Sequence, residues 1–410
     1  MIISLGKEYN EIDKKLISLR KSLDNFIKET GITKKKVAEL LGLNSYRNVN
    51  DILEGKEEIT LKCAIGIASL TGITSKELLD SVYQEVYESK ALDVDNLKYA
   101  AFLYSNFDLK VLRDLSLFEK GDTDEEMCNK LLNYFGYNSI FEYKVPITAK
   151  AALFSIRKVS AQERRDKLMM NFWLTTAQRS FLEMNNRNEY DRELLKDFLT
   201  KRIRQYTTDI HDGFATAVYV LYQLGISVLV QEYMKNTHAY GVSMIVNDKP
   251  CIILTGLGGN YYKLWLTLLH ELYHILNDWD YLQQVGCLVS IEEQQELYVS
   301  EEDADRFACN CFIPQEFHGQ LDLIIDSKHR VMQLAHKLGI HPTLVYGIYL
   351  ELIQDKNIKK KEFSKHVYLK NIIQTKETSC LKRITYNPIE EGSIKSAIKQ
   401  VKESLGIMTA

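Results

Sequence analysis

Apolar residues recur three and four positions apart near the start of the chain: Ile12, Leu16, Leu19, Leu23 and Phe26 form one stripe of a long helix. Gly31-Ile32 interrupts it. Thr33 then stands where it can N-cap a short helix over 34–41 that Gly42 ends. Asn44 or Ser45 caps the next helix, which runs to about Leu53 and is closed by Gly55. Thr60 opens a fourth over 61–70, and a fifth covers 75–87 after Thr71-Gly72-Ile73. Short helices in this succession, with Ala38 and Gly42 at a tight crossing, predict a helix-turn-helix layout for residues 1–90.

Helical spacing continues through 91–210, in segments over 96–117, 125–135, 151–156, 162–182 and 191–207. Phe172 and Trp173 are its large anchors. This stretch holds no ligand cluster and reads as a helical connector. The period then changes. Residues 226–231, 239–246 and 251–255 read as strands, with a hairpin turn through Val246-Asn247-Asp248-Lys249-Pro250. Gly256-Leu257-Gly258-Gly259-Asn260 is not a phosphate loop, since no Lys-Ser/Thr follows and no dinucleotide pattern fits. It leads into a helix apolar nearly all round, through Leu264, Trp265, Leu266, Leu268, Leu269, Leu272, Ile275 and Leu276, which is expected to be buried. From about Lys356 the chain is Lys-rich, with short amphipathic helices to its end. The fold class expected is α+β, predominantly helical. It comprises a helix-turn-helix bundle (1–90), a helical connector (91–210), a domain with a small mixed sheet (211–350) and a helical C-terminal extension (351–410).

Inside the apolar helix stands His270-Glu271-Leu272-Tyr273-His274, an H-E-x-x-H pentapeptide in a chain with nine histidines. Residues four apart on a helix share a face, so both imidazoles can grip one Zn²⁺. Glu271, one step round the turn, is then the general base toward a water in the open coordination position. Buried histidines and a buried glutamate need partners, and a metal supplies one. A third protein ligand is required. Residues 301–308 read Glu-Glu-Asp-Ala-Asp-Arg-Phe-Ala, in which Glu301 and Asp305 share a face. Glu301 is the expected third ligand, and Asp305 is expected to bond the outer nitrogen of a ligand histidine and fix its tautomer. Alone, Ser300-Glu301-Glu302-Asp303 would read as an N-cap with an acidic first turn. His341 and Tyr240 are candidates for a second oxyanion donor, although both residue types in such settings are more often structural. A sheet beside this helix offers an extended peptide an edge to pair with.

Together these segments resemble the ImmA/IrrE-type zinc metallopeptidases. Their pattern is H-E-[apolar]-x-H, then E-x-x-A-[ND]-x-F-A, then a short apolar run closed by Pro, matched here by Cys311-Phe312-Ile313-Pro314. Ala335-His336-Lys337-Leu338-Gly339-Ile340-His341-Pro342 is similar to the segment that follows in members fused to a DNA-binding module. The likeness covers roughly 215–350, with two departures: Tyr273 stands where a small residue is commoner, and Asp305 replaces the frequent Asn. The resemblance implies a zincin-like domain, zinc as cofactor, and a transcriptional repressor or antitoxin-type protein as substrate or partner. It also implies an alternative, a DNA-binding regulator or antitoxin whose metallopeptidase fold serves sensing or partner binding. A zinc-stabilised scaffold is a third reading, against which Glu271 and an open three-ligand set speak, since structural sites are closed by four ligands.

The first ninety residues resemble the XRE-type helix-turn-helix, through Val37-Ala38-Glu39-Leu40-Leu41-Gly42-Leu43 and Ile52-Leu53-Glu54-Gly55-Lys56. In that fold the second helix of the motif enters the major groove. Here it would present Ser45, Tyr46, Arg47, Asn48 and Asn50 to base edges, with Lys34, Lys35, Lys36 and Lys56 on phosphates. Acidic Asp51, Glu54, Glu57 and Glu58 dilute that patch, and helical domains of this layout also dimerise, so a homodimer is the other use. Composition sets bounds. A net charge of −3 gives no global nucleic-acid signature, so DNA contact must be local. Seven cysteines without a C-x-x-C pair indicate reduced thiols and a cytoplasmic setting, with Cys309 and Cys311 as core residues. Neither a signal-peptide pattern nor an uninterrupted apolar run of about 18 residues is present, so no membrane is expected.

Overall fold

A computed structural model describes residues 18–88, 93–144, 160–237, 239–255, 260–291, 301–355 and 385–407. The chain divides into two compact units, Met1–Ala101 and Phe102–Ala410. The expected helix over 151–156, the glycines of 256–259, Ser300 and the Lys-rich stretch 356–384 lie outside the described residues.

The first unit carries α1 (Leu19–Thr30), α2 (Lys34–Leu41), α3 (Tyr46–Leu53), α4 (Leu61–Thr71) and α5 (Ser75–Glu88). Their starts are set by side-chain caps: Thr33 accepts from Lys36 N, Ser45 from Arg47 N and Thr60 from Cys63 N, at 3.2–3.3 Å. Gly31, Gly42 and Gly72 end α1, α2 and α4 in the left-handed conformation. Leu23, Val37, Val49, Ala64 and Ile67 are fully buried between these helices. The tight crossing is at Gly66 rather than Gly42. A Cβ on Gly66 would lie 2.6 Å from Leu41 Cδ2, whereas Gly42 faces the flexible end of Lys62.

The division falls within α6 (Val94–Asn106). The single helix expected over 96–117 is two, because Asp108 accepts from Val111 N and caps α7 (Leu109–Asp114). After α8 (Asp124–Phe135) and α9 (Ala161–Met184), the segment 191–207 likewise breaks, at Arg202, into α10 (Arg192–Lys201) and α11 (Ile203–Tyr206). Phe172 and Trp173 are fully buried, with Phe172 stacked on Tyr134. Leu195, Phe198 and Ile203 belong to the same apolar core as the sheet, so α10 and α11 are part of its packing.

That sheet follows α12 (Gly213–Gln223) and comprises β1 (Ser227–Gln231), β2 (Ala239–Val246), β3 (Lys249–Thr255), β4 (Cys287–Ile291) and β5 (Thr385–Tyr386), in the order β4-β2-β3-β1-β5. It is mixed: β1 runs parallel to β3 and β5, and β2 antiparallel to β3 and β4. Asn247 and Asp248 both have positive φ, which is the twisted two-residue hairpin geometry their residue types favour. Neither β4 nor β5 was legible as a strand. Five residues behind a helix and two residues near the end are too short for period-2 alternation to register. β5 also makes the C-terminal extension more than helical, since Thr385 and Tyr386 pair with Val230 and Gln231.

Between β3 and β4 lie α13 (Tyr261–Asn277) and α14 (Trp279–Val285). α15 (Glu301–Phe312), α16 (His318–Ile324), α17 (Lys328–Leu338), α18 (Pro342–Asp355) and α19 (Ile394–Leu405) complete the unit. The apolar girdle of α13 is buried on all sides, against β2, β3, α15 and α18. Trp265 is fully buried edge-on to Phe214 and Phe312, and fixes α13 against α12 and α15. Gly347 of α18 is obligatory, because a Cβ there would meet the Tyr262 ring at 2.1 Å. Among the described residues no helix is long and apolar enough to cross a membrane.

Candidate metal centre

α13 and α15 lie side by side, and their contact brings the H-E-x-x-H residues to the start of α15. One ligand atom each from His270, His274 and Glu301 falls within 4.8 Å of the others. His270 Nε2 is 3.2 Å from His274 Nε2 and 3.0 Å from Glu301 Oε2, and His274 Nε2 is 4.0 Å from Glu301 Oε1. The three donors face one point. Both imidazoles are buried and Glu301 is half-buried, so the cluster sits under the surface with its carboxylate toward solvent.

Each imidazole is tied at its other nitrogen. His270 Nδ1 lies 2.7 Å from Asp305 Oδ1, one helical turn beyond Glu301. His274 Nδ1 lies 2.8 Å from Asp278 Oδ2. A carboxylate accepts, so each ring holds a proton on Nδ1; His274 thereby turns its Nε2 lone pair inward, whereas His270 also faces the Glu301 carboxylate through Nε2. Burial pushes the His270 pKa down, but the Asp305 and Glu301 carboxylates outweigh it and raise it to about 10. Burial likewise pushes Glu301 and Asp305 up, and the bonds to His270 outweigh it and hold both below their ordinary values. Two nitrogen donors and a carboxylate, with nothing softer in the set, match zinc, and a divalent ion would take the place of the proton that now joins His270 to the acids.

Glu271, one position on from His270, turns toward β2 and is fully buried. Ser243 Oγ donates to its Oε2 at 2.7 Å and lies 3.1 Å from its backbone carbonyl. Two residues earlier on the same face of β2, Gly241 leaves the space that the carboxylate fills: a Cβ there would lie 2.6 Å from Oε1. Glu271 is close enough to His270 to contribute to its raised pKa. Tyr273, the bulky departure, packs at 5.5 Å against Phe307 of α15, so it fills a gap between α13 and α15.

The expected second oxyanion donors fare differently. His341 Nδ1 bonds Thr343 at the start of α18 and its ring stands edge-on to Tyr261, a capping and packing role. Tyr240 lies under the Lys263 ammonium, 5.3 Å from its ring centre. In the first unit, Lys35, Tyr46, Arg47 and Lys56 are exposed, and Lys56 pairs with Glu54. Lys34 donates to Asn50 and Lys36 to Glu39. Asn48 is turned inward: its Oδ1 accepts from Ser45 N and its Nδ2 donates to Glu57, so it completes a capping box instead of facing outward.

Asp278, Ser243 and Gly241 were missed from the sequence. His274-x-x-x-Asp278 carried a readable signal, a carboxylate one turn on from a candidate ligand at the end of its helix. Ser243 and Gly241 carried none, because only the pairing of β2 under α13 brings them to Glu271. Comparison with protein-family models, with curated proteins and with solved structures found no match for this chain.

Proposed function

We propose that the second unit is a zinc-dependent endopeptidase, acting in the cytoplasm on a protein partner of the repressor or antitoxin type, and that the first unit binds DNA. The observation that carries the enzymatic reading is the convergence of His270, His274 and Glu301 from two helices, with Glu271 held on the neighbouring face of α13. Each imidazole has a carboxylate on Nδ1, the nitrogen turned away from the cluster, which leaves Nε2 for a cation once the His270 proton is displaced. Three protein donors leave a tetrahedral ion one open position, the arrangement of catalytic rather than structural zinc.

A zinc ion in that cluster would supply Lewis-acid polarisation and a water of lowered pKa. The remaining work falls to the chain itself. His270, His274 and Glu301 hold the charge, and Asp305 and Asp278 orient the rings. Glu271 is suited to take a proton from water and return it to the leaving amine. Ser243 and Gly241 keep its carboxylate in one place. At the sheet, β4 is an outer strand among the described residues and the neighbour of β2, so it is the edge on which an extended peptide would pair nearest to Glu271.

The DNA-binding part rests on the capped succession α2–α3 and on exposed Lys35, Tyr46 and Arg47. The decisive experiment incubates the purified full-length protein, and its Glu271→Gln variant, with lysate of the source cell. The reading requires a protein fragment that the wild type generates and the variant does not. Identical fragment patterns would remove the peptidase assignment.

A further inference from the structure

Asp278 occupies the junction between α13 and α14, the position from which an Asp ordinarily caps the following helix. It does not: its side chain makes no capping bond to α14. The carboxylate turns back instead, and Oδ2 sits 2.8 Å from His274 Nδ1. Its backbone N–H donates at 2.9 Å to the carbonyl of the same histidine. One residue therefore grips His274 at both ends, through main chain and side chain. The turn that bears it is fixed from outside as well, since the Arg192 guanidinium donates to the Leu276 carbonyl through Nε at 3.0 Å and Nη2 at 2.6 Å.

We propose that Asp278 is a positioning residue for cation binding: it holds the His274 ring as the Nδ1–H tautomer, so that Nε2 presents its lone pair to the point shared with His270 and Glu301. This rests on the metal-site reading above. The two histidines are thereby served by carboxylates of different origin. Asp305 reaches His270 from α15 and depends on the packing of two helices, whereas Asp278 reaches His274 within one continuous turn. A cation arriving at the cluster finds His274 oriented by local structure alone, and loss of the carboxylate frees that ring to rotate or to carry its proton on the wrong nitrogen.

The test titrates full-length wild type, Asp278→Ala and Asp278→Asn with zinc against a chelator of known affinity. The alanine change is expected to weaken zinc binding about 10–100-fold, and Asn, which keeps an acceptor oxygen, to weaken it less. A merely structural residue would lower the unfolding temperature of the metal-free protein without moving the chelator competition. Nitrogen-15 shifts of the His274 ring in metal-free wild type give a second measurement, for which Nδ1–H is expected and Nε2–H would overturn the proposal. Zinc affinity of Asp278→Ala within about twofold of wild type also overturns it and leaves the metal site standing. A wild type that takes up no zinc removes the metal site itself, and this role with it.

Discussion

Gly241 and Glu271 touch so closely that no side chain fits between them. A Cβ on Gly241 would stand 2.6 Å from Glu271 Oε1 and 2.9 Å from Cγ, and the glutamate is fully buried. Gly241→Val should therefore displace the carboxylate and cost about 1–3 kcal/mol from overpacking. Because Glu271 is not one of the three proposed donors His270, His274 and Glu301, zinc content should persist while proteolysis fails. Denaturant unfolding beside metal analysis checks both halves. A variant that is as stable and as active as wild type would show that Glu271 does not need this socket.

Substitutions at the cluster should separate metal binding from chemistry. Glu271→Gln keeps size and the Ser243 contact but loses the basic carboxylate, so it should retain zinc and lose proteolysis. His270→Ala and Glu301→Ala each leave two donors and should lose the metal itself. Full zinc occupancy in Glu301→Ala, measured by elemental analysis, would show that another group is the third ligand.

The convergence of His270, His274, Glu301 and Asp305 was legible in the sequence because helical spacing is local, and all four followed from i to i+4 arithmetic on two helices. Caps were legible for the same reason, and Thr33, Ser45 and Thr60 start their helices at the expected residues. What failed was non-local. The contact of Gly66 with Leu41 and the cradle of Gly241 and Ser243 depend on which element lies against which, and periodicity carries no such information. β5 depends on a pairing between residues far apart in the chain. Asn48 illustrates a subtler limit. Its residue type suits adenine, yet an Asn three residues after a Ser cap also suits a capping box, and Glu57 captures the rest of its amide.

That assignment separates two variants of the first unit. Asn48→Ala should destabilise the unit by about 1 kcal/mol through loss of the capping box, without selectively changing sequence preference. Arg47→Ala removes an exposed cation and should weaken retardation of a duplex carrying the protein's own promoter while leaving the unfolding midpoint unchanged. Affinity of the wild type should fall steeply with added salt. Failure of the full-length protein to retard any duplex at low salt would dismiss DNA binding.

The carboxylates around His270 give the metal-free protein a defined pH response. The His270 pKa is raised from 6.5 to about 10, so its protonated form stabilises the fold fully below 6.5, and that contribution is lost as pH rises through about 10. Glu301 and Asp305 are lowered from 4.5 and 3.8, so their contribution is present above those values and lost as pH falls through the depressed ones. Metal-free protein should thus be most stable in mildly acid solution and weaken toward alkaline pH. Zinc must displace the His270 proton, so its binding releases protons and strengthens as pH rises. The difference in unfolding temperature between zinc-loaded and metal-free protein should accordingly widen from about pH 6 to about pH 8. Calorimetric titration in two buffers of different ionisation enthalpy measures the released protons directly. A zinc-induced shift that is flat across this range, with no proton release, would mean that the ion does not bind at His270.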